Sequence, residues 1–231
     1  MKDLTKGYPA KVIILFAIPM IFGSIFQQLY NIADSKIVST FVGTEGFAAV
    51  GATSVVSNTL IGFLNSLTLG FAIPIANSFG GKDYKRMRRM VAGTVLLTLA
   101  GAVVLTVLIL LLIPAILKLL ATPEDIMSPA LAYVRIILYG IIFVSVYNMC
   151  ANVLRAVGDS RTPLYCLIIS VFVNIGLDLL FVNGFHMGIQ GAAWATIISQ
   201  ALSAVLCLGY ILLKFRDIIP EKDEWKQVEG Q

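Results

Sequence analysis

Residues 91–117 read VAGTVLLTLAGAVVLTVLILLLIPAIL. No charged residue interrupts this run. It exceeds the about 20 apolar residues that a helix needs to cross a bilayer. Lys82, Lys85, Arg86, Arg88 and Arg89 stand before it, and Lys118 follows it. The rest of the chain repeats the theme. Of its 231 residues 58% are hydrophobic and only 13% charged, too few to cover a soluble surface of this size. The sequence predicts an all-α, polytopic membrane protein.

Working outward, five further apolar runs cover 12–40, 47–78, 129–154, 163–183 and 189–213. The connections are short, so successive helices are expected to be antiparallel neighbours. Residues 1–213 then form one six-helix transmembrane bundle. Residues 214–231 form a charged cytoplasmic tail or a linker to a further lobe. Pro129 and Pro163 read as openers of their spans, where a missing amide hydrogen costs nothing. Pro19 and Pro74 lie inside spans and are expected to bend them. A signal peptide has a short apolar core before its cleavage site, whereas the first run continues past Pro19 toward Asp34, so it reads as a retained span.

Fourteen of the 17 lysines and arginines fall on one side of such a bundle. They are Lys2, Lys6, Lys11, Lys82, Lys85, Arg86, Arg88, Arg89, Arg155, Arg161, Lys214, Arg216, Lys222 and Lys226. Positive loops stay in the cytoplasm. Both termini are therefore expected inside, with the protein in the cell membrane. The net charge of +4 follows this topology and does not indicate a nucleic-acid partner. Of the other three cations, Lys36 is expected to snorkel to the outer interface, with Lys118 and Arg135 near it. Cys150, Cys166 and Cys207 sit in apolar runs and read as buried hydrophobes. His186 reads as a solvated turn residue. Nothing in the spacing suggests a metal cluster.

Five spans carry polar residues at helical steps. Span one has Ser24, Gln27, Asn31 and Asp34. Span two has Ser54, Asn58, Asn65 and Thr68, and span four has Ser145, Asn148, Asn152 and Arg155. Span five has Ser170, Asn174 and Asp178; span six has Thr196, Ser199, Gln200 and Ser203. Span three has almost none and is expected to face lipid. Single serines and threonines are explained by hydrogen bonds between helices. Together the stripes predict a polar cavity, with Gln27, Asn31, Asn58, Asn148 and Gln200 among its lining.

Asp34 and Asp178 carry the sharper signal. A carboxylate at the bilayer centre costs roughly 3 kcal/mol on insertion scales. A group so placed can take up a proton in one conformation and release it in another. Asn174 and Asp178, one turn apart, offer oxygens that suit a hard cation such as sodium. An intramembrane aspartyl protease would also use two aspartates, but neither residue sits in a Gly-x-Gly-Asp context. The chain is not read as an enzyme.

Four segments resemble the N-terminal lobe of the MATE (multidrug and toxic compound extrusion) transporters. They are Gln28-Leu-Tyr-Asn-Ile-Ala-Asp34 with Phe41-Val-Gly43 and Ala48-Ala-Val-Gly51; Phe79-Gly-Gly-Lys-Asp83; Asn152-Val-Leu-Arg-Ala-Val-Gly-Asp159 with Thr162-Pro163; and Asn174-Ile-Gly-Leu-Asp178 with Gly188-Ile-Gln-Gly-Ala-Ala-Trp-Ala-Thr196. The resemblance implies efflux of small organic, often cationic, substrates by alternating access, driven by H+ or Na+ and with no cofactor. It implies coupling roles for Asp34, Asn174, Asp178 and Thr196, sodium at the last three being the metal alternative. It implies a helix-one hinge at Pro19. Lys36, Ser39 and Pro74 depart from the family pattern. The family has two such lobes, so a second six-helix lobe, from this or another chain, is an expected partner alongside membrane lipid. A lipid-precursor flippase of the same superfamily and a non-transporting fragment are the alternatives.

Overall fold

The computed structural model describes residues 8–226. Six long helices follow one another: α1 (Pro9–Phe41), α2 (Thr44–Gly80), α3 (Tyr84–Leu119), α4 (Glu124–Ala156), α5 (Arg161–Asp178) and α6 (Gly188–Lys214). A short α7 (Lys222–Lys226) comes last, and no strand occurs among the described residues. All six long helices, α5 counted with the turn after it, are long and apolar enough to cross a membrane. Lys2 and Lys6 of the expected positive side lie outside the described residues, as do 227–231.

Two expectations need correction. Pro129 does not open its helix: α4 begins at Glu124, and Pro129 lies inside it. The polar start Glu124-Asp125 falls outside the apolar run, yet two carboxylates in a first turn suit a helix N-terminus. The fifth span is not α-helical throughout either. It changes at Leu179–Gly184 to a π-helical turn. Pro163 does lie in the first turn of α5. Pro19, Pro74 and also Pro114 lie within α1, α2 and α3.

The segments shared with the resemblance make tight connections. The α4–α5 link closes with Asp159 N–H donating to Leu154 O at 2.9 Å, and Gly158 takes φ 88°. Only glycine enters that left-handed region without strain. Asp159 then caps α5, accepting from the amides of Arg161 and Thr162 at 3.0 Å and from the Thr162 hydroxyl at 2.7 Å. Asp83 caps α3 by accepting from Arg86 N–H at 3.0 Å. Asn152 is buried and donates to Thr68 Oγ1 at 2.9 Å, while Arg155 donates to Asn152 Oδ1 at 3.0 Å. This polar chain ties α2 to α4.

Packing order differs from chain order. The largest contacts join α2 to α4 and α4 to α6. Consecutive pairs α2–α3, α3–α4 and α5–α6 do pack together, but α1–α2 and α4–α5 barely touch, and α1 leans on α5. The expectation that every successive pair would be neighbours therefore fails at two of the turns. Close approach of α4 and α6 depends on Gly140, where a Cβ would stand 2.5 Å from Ile197 Cγ1. Helix pairs in membranes use small residues for this purpose. One apolar core at the basic end joins Ile75, Met87, Tyr147, Leu154 and Val171. A second at the other end joins Leu64, Ile113, Leu117, Val134 and Leu138. Cys150, Cys166 and Cys207 are free thiols buried in the first core. α3 buries Met87, Ala92 and Leu117 and exposes Leu97, Val104, Val107 and Leu111 on its other side.

The segment after Lys214 folds back on the bundle. Phe215 and Ile218 are buried in the basic-end core. Glu224 on α7 accepts from Arg88 Nε at 3.0 Å with both oxygens, and Glu221 lies 3.4 Å from the same guanidinium. Burial favours the neutral Glu224 carboxyl, but the Arg88 hydrogen bonds, the Glu221 amide and the charges of Arg88 and Arg89 outweigh it. The carboxyl is held below the usual carboxylate range.

Candidate coupling site

Between α1 and the tightly packed α2, α4 and α6 lies an open cavity of about 300 Å³. Gln27, Asn31, Asn58 and Gln200 line it, together with Asp34 and Thr196. Asn148 does not: it sits one turn beyond Val144, the last α4 residue on the wall. Asn174 and Asp178 do not line the cavity either. They stand behind Thr196, almost wholly buried.

A hydrogen-bonded path joins these groups across three helices. Tyr30, one turn before Asp34, donates its hydroxyl to Thr196 Oγ1 at 3.2 Å. The Thr196 amide N–H faces the Asn174 side chain, and this fixes the Asn174 oxygen toward it at 3.3 Å. The Asn174 amino group is thereby turned to Asp178 and donates to Oδ2 at 2.9 Å. Asp34 Oδ1 and Asp178 Oδ1 are both buried without a hydrogen-bond partner. Tyr30 and Tyr133 line the same cavity as Asp34. No lysine or arginine lines the cavity, so no protein cation offsets the pair. Buried carboxylates without a counter-charge take a proton or bind a metal ion.

The π-helical turn begins at the residue after Asp178. Such turns widen a helix and recur at functional sites. It is braced by α6, where Gly191 comes so near that a Cβ would stand 3.1 Å from the Phe181 carbonyl carbon. Tyr30, Tyr133 and the π turn were not among the residues expected from the sequence. Tyr30 carries a visible signal, four residues before Asp34 on one helix face. Tyr133 and the π turn carry none. Most hydroxyls in the polar stripes satisfy themselves: Ser145, Ser199 and Ser203 donate to carbonyls of their own helices. Pro19 is buried on α1 and removes the amide that would donate to Leu15 O.

Known proteins share this fold. A family model described as MatE covers residues 19–180. The probable multidrug resistance protein YpnP of Bacillus subtilis (strain 168) is 31% identical over 229 residues, which is 97% of this chain and 51% of that protein. A crystal structure of MATE in the bent conformation superposes with a TM-score of 0.87 at 27% identity, over 99% of this chain and 53% of its own. An outward-facing multidrug resistance MATE family transporter of the MOP superfamily gives 0.87 at 28%, over 98% of this chain and 52% of its own. The chain thus spans about half the length of the relatives it matches. The matched stretch runs from the α1 proline through the Asn174–Asp178 pair, and the chain belongs to the MatE family.

Proposed function

We propose that this chain supplies the N-terminal, cation-coupling lobe of a multidrug efflux antiporter in the cell membrane, with both termini cytoplasmic. The carrying observation is the path Tyr30–Thr196–Asn174–Asp178, which joins α1 to the buried Asp178 of α5 through α6, with Asp34 one turn from Tyr30 on the cavity wall. Loading or releasing a cation there changes what holds α1 in place, and α1 forms one wall of the cavity. That is the coupling alternating access requires. Small organic cations entering the cavity would meet Asp34 and neutral hydrogen-bonding groups. Either a proton on Asp178 or a sodium ion shared by Asn174, Asp178 and Thr196 would serve as the coupling cation. The rocking motion needs a second six-helix lobe, which accounts for relatives about twice as long.

The test is dye efflux from energised vesicles, with the chain joined to or co-expressed with a second lobe. Asp178→Asn and Asp34→Asn are each expected to abolish gradient-driven efflux while dye binding persists. Normal efflux in both variants would refute the coupling role. A sodium jump that drives export without a pH gradient would select sodium over the proton.

A further inference from the structure

Lys36 has no place in this scheme. It is exposed on α1, five residues before the helix ends at Phe41. Helical phase turns it away from Asp34. It opens instead onto a surface groove of about 430 Å³ that shares Asn31 and Ser35 with the rim of the Asp34 cavity and is otherwise walled by Gln28 and Ser39, with Ile32 and Phe47 as its apolar flank. No carboxylate lines this groove, and among the described residues none pairs with Lys36. Gln28 accepts from Asn31 Nδ2 at 3.2 Å, which leaves the Gln28 amino group as a further donor. The groove therefore presents one cation and several hydrogen-bond donors, and nothing negative.

Below it the helix surface changes character. Ile18, Phe22, Ile25, Leu29 and Ile32 are all exposed and follow at steps of 4, 3, 4 and 3, with Lys36 next at a step of 4. They form one apolar stripe ending in the cation. From Ile25 to Lys36 the rise is roughly 16 Å at 1.5 Å per residue, about half the ~30 Å hydrocarbon core and hence one leaflet. Lys36 itself lies ~7.5 Å below the helix end, within reach of the headgroup layer for a snorkelling lysine.

We infer that this stripe and groove form a site for one anionic membrane phospholipid. Its phosphate would sit against Lys36 and the donors of Gln28 and Ser35, and its acyl chain along Ile25, Leu29 and Ile32. Charge complementarity with Lys36, and the apolar stripe running on below it to seat an acyl chain, select this occupant over a soluble anion.

Native mass spectrometry of the purified full chain tests it, from micelles doped with phosphatidylglycerol or phosphatidylcholine. The wild type should retain one phosphatidylglycerol in preference to phosphatidylcholine. Lys36→Gln should cut that preference by about fivefold, the usual effect of one basic residue at an anionic surface. Lys36→Arg and Lys118→Gln should keep it. Unchanged thermal melting of Lys36→Gln in detergent would exclude misfolding as the cause. Undiminished phosphatidylglycerol retention by Lys36→Gln would overturn the assignment. So would displacement of the lipid by millimolar glycerol phosphate, which would make this a free-anion site. A dimer that sheds lipid and buries the α1 stripe would overturn it in favour of a second copy of the chain.

Discussion

α1 and α4 are equally long, 33 residues each, yet they live in different surroundings. Half of the most apolar stretch of α4 is buried, against 6% of that of α1. α4 touches α2, α3 and α6 along its length and is held by apolar packing, by the Gly140 contact and by the Asn152 chain. α1 leans on α5 and is anchored mainly near its far end, where Ile37 and Val38 pack against Val182 and Ala192. Tyr30 adds a hydrogen bond to α6, and Gly23 lies against Leu164 and Leu167 of α5. The helix that carries Asp34 is thus the least buried within the chain, and the helix opposite is the most. Segments that move during function come from the weakly held part of a structure. The division of labour is between a fixed wall and a movable one.

The comparison breaks most readily through core truncation. Leu138 on α4 is fully buried and Leu29 on α1 is exposed. Leu138→Ala should cost about 2–5 kcal/mol, while Leu29→Ala should stay within about 0.5 kcal/mol. Thermal melting in detergent reads both, and similar losses would dissolve the distinction. A smaller effect sharpens it. Tyr30→Phe removes the α1–α6 hydrogen bond, worth about 0.6 kcal/mol on average in a membrane protein. The melting temperature should hardly move, while amide exchange in α1 rises and that in α4 does not. Equal rises in both helices would show that Tyr30 does not hold α1 selectively.

The smallest effect concerns the tail clamped to the fixed half. The Glu224 carboxyl is held below its usual range. Its contribution is therefore present above the unfolded value of about 4.3 and is lost as the pH falls through the lower folded value. In a Trp194→Phe background Trp225 is the remaining tryptophan, next to Glu224. Its emission should shift to the red below pH about 4, and in Glu224→Gln already at neutral pH. No shift in either case would mean that Arg88 does not hold the tail.

Six helices were legible in the sequence because apolarity over some 20 residues leaves a membrane-crossing chain few other choices. Helix ends were less so. Glu124-Asp125 is polar and lies beyond the apolar run, yet it is helical. Neighbour order could not be read either. Short loops constrain succession, but α2–α4 and α4–α6 contacts depend on small residues such as Gly140 that look ordinary in an apolar run. Of the candidate site, Asp34, Thr196 and four of the five expected lining residues reach the cavity. Periodicity revealed which helix face is polar. It could not reveal that Asn174 and Asp178 stand behind Thr196, nor that Tyr133, from a mostly apolar stretch, lines the cavity with Asp34. The π turn packs against α6 at Gly191, a tertiary contact that no local pattern announces.

One measurement addresses the fixed and movable walls directly. Spin labels at exposed Leu29 and Tyr139 report the distance between α1 and α4, and labels at Val55 and Tyr139 report α2 against α4. The native cysteines are buried and leave surface labelling to the introduced sites. Pulsed electron–electron resonance in lipid nanodiscs, in mildly acidic and mildly alkaline buffer, should show a pH-dependent shift for the α1–α4 pair and none for the α2–α4 pair. Asp34→Asn combined with Asp178→Asn should abolish the shift. A shift that survives in the double variant, or that appears equally in both pairs, would contradict the coupling of α1 to these carboxyls.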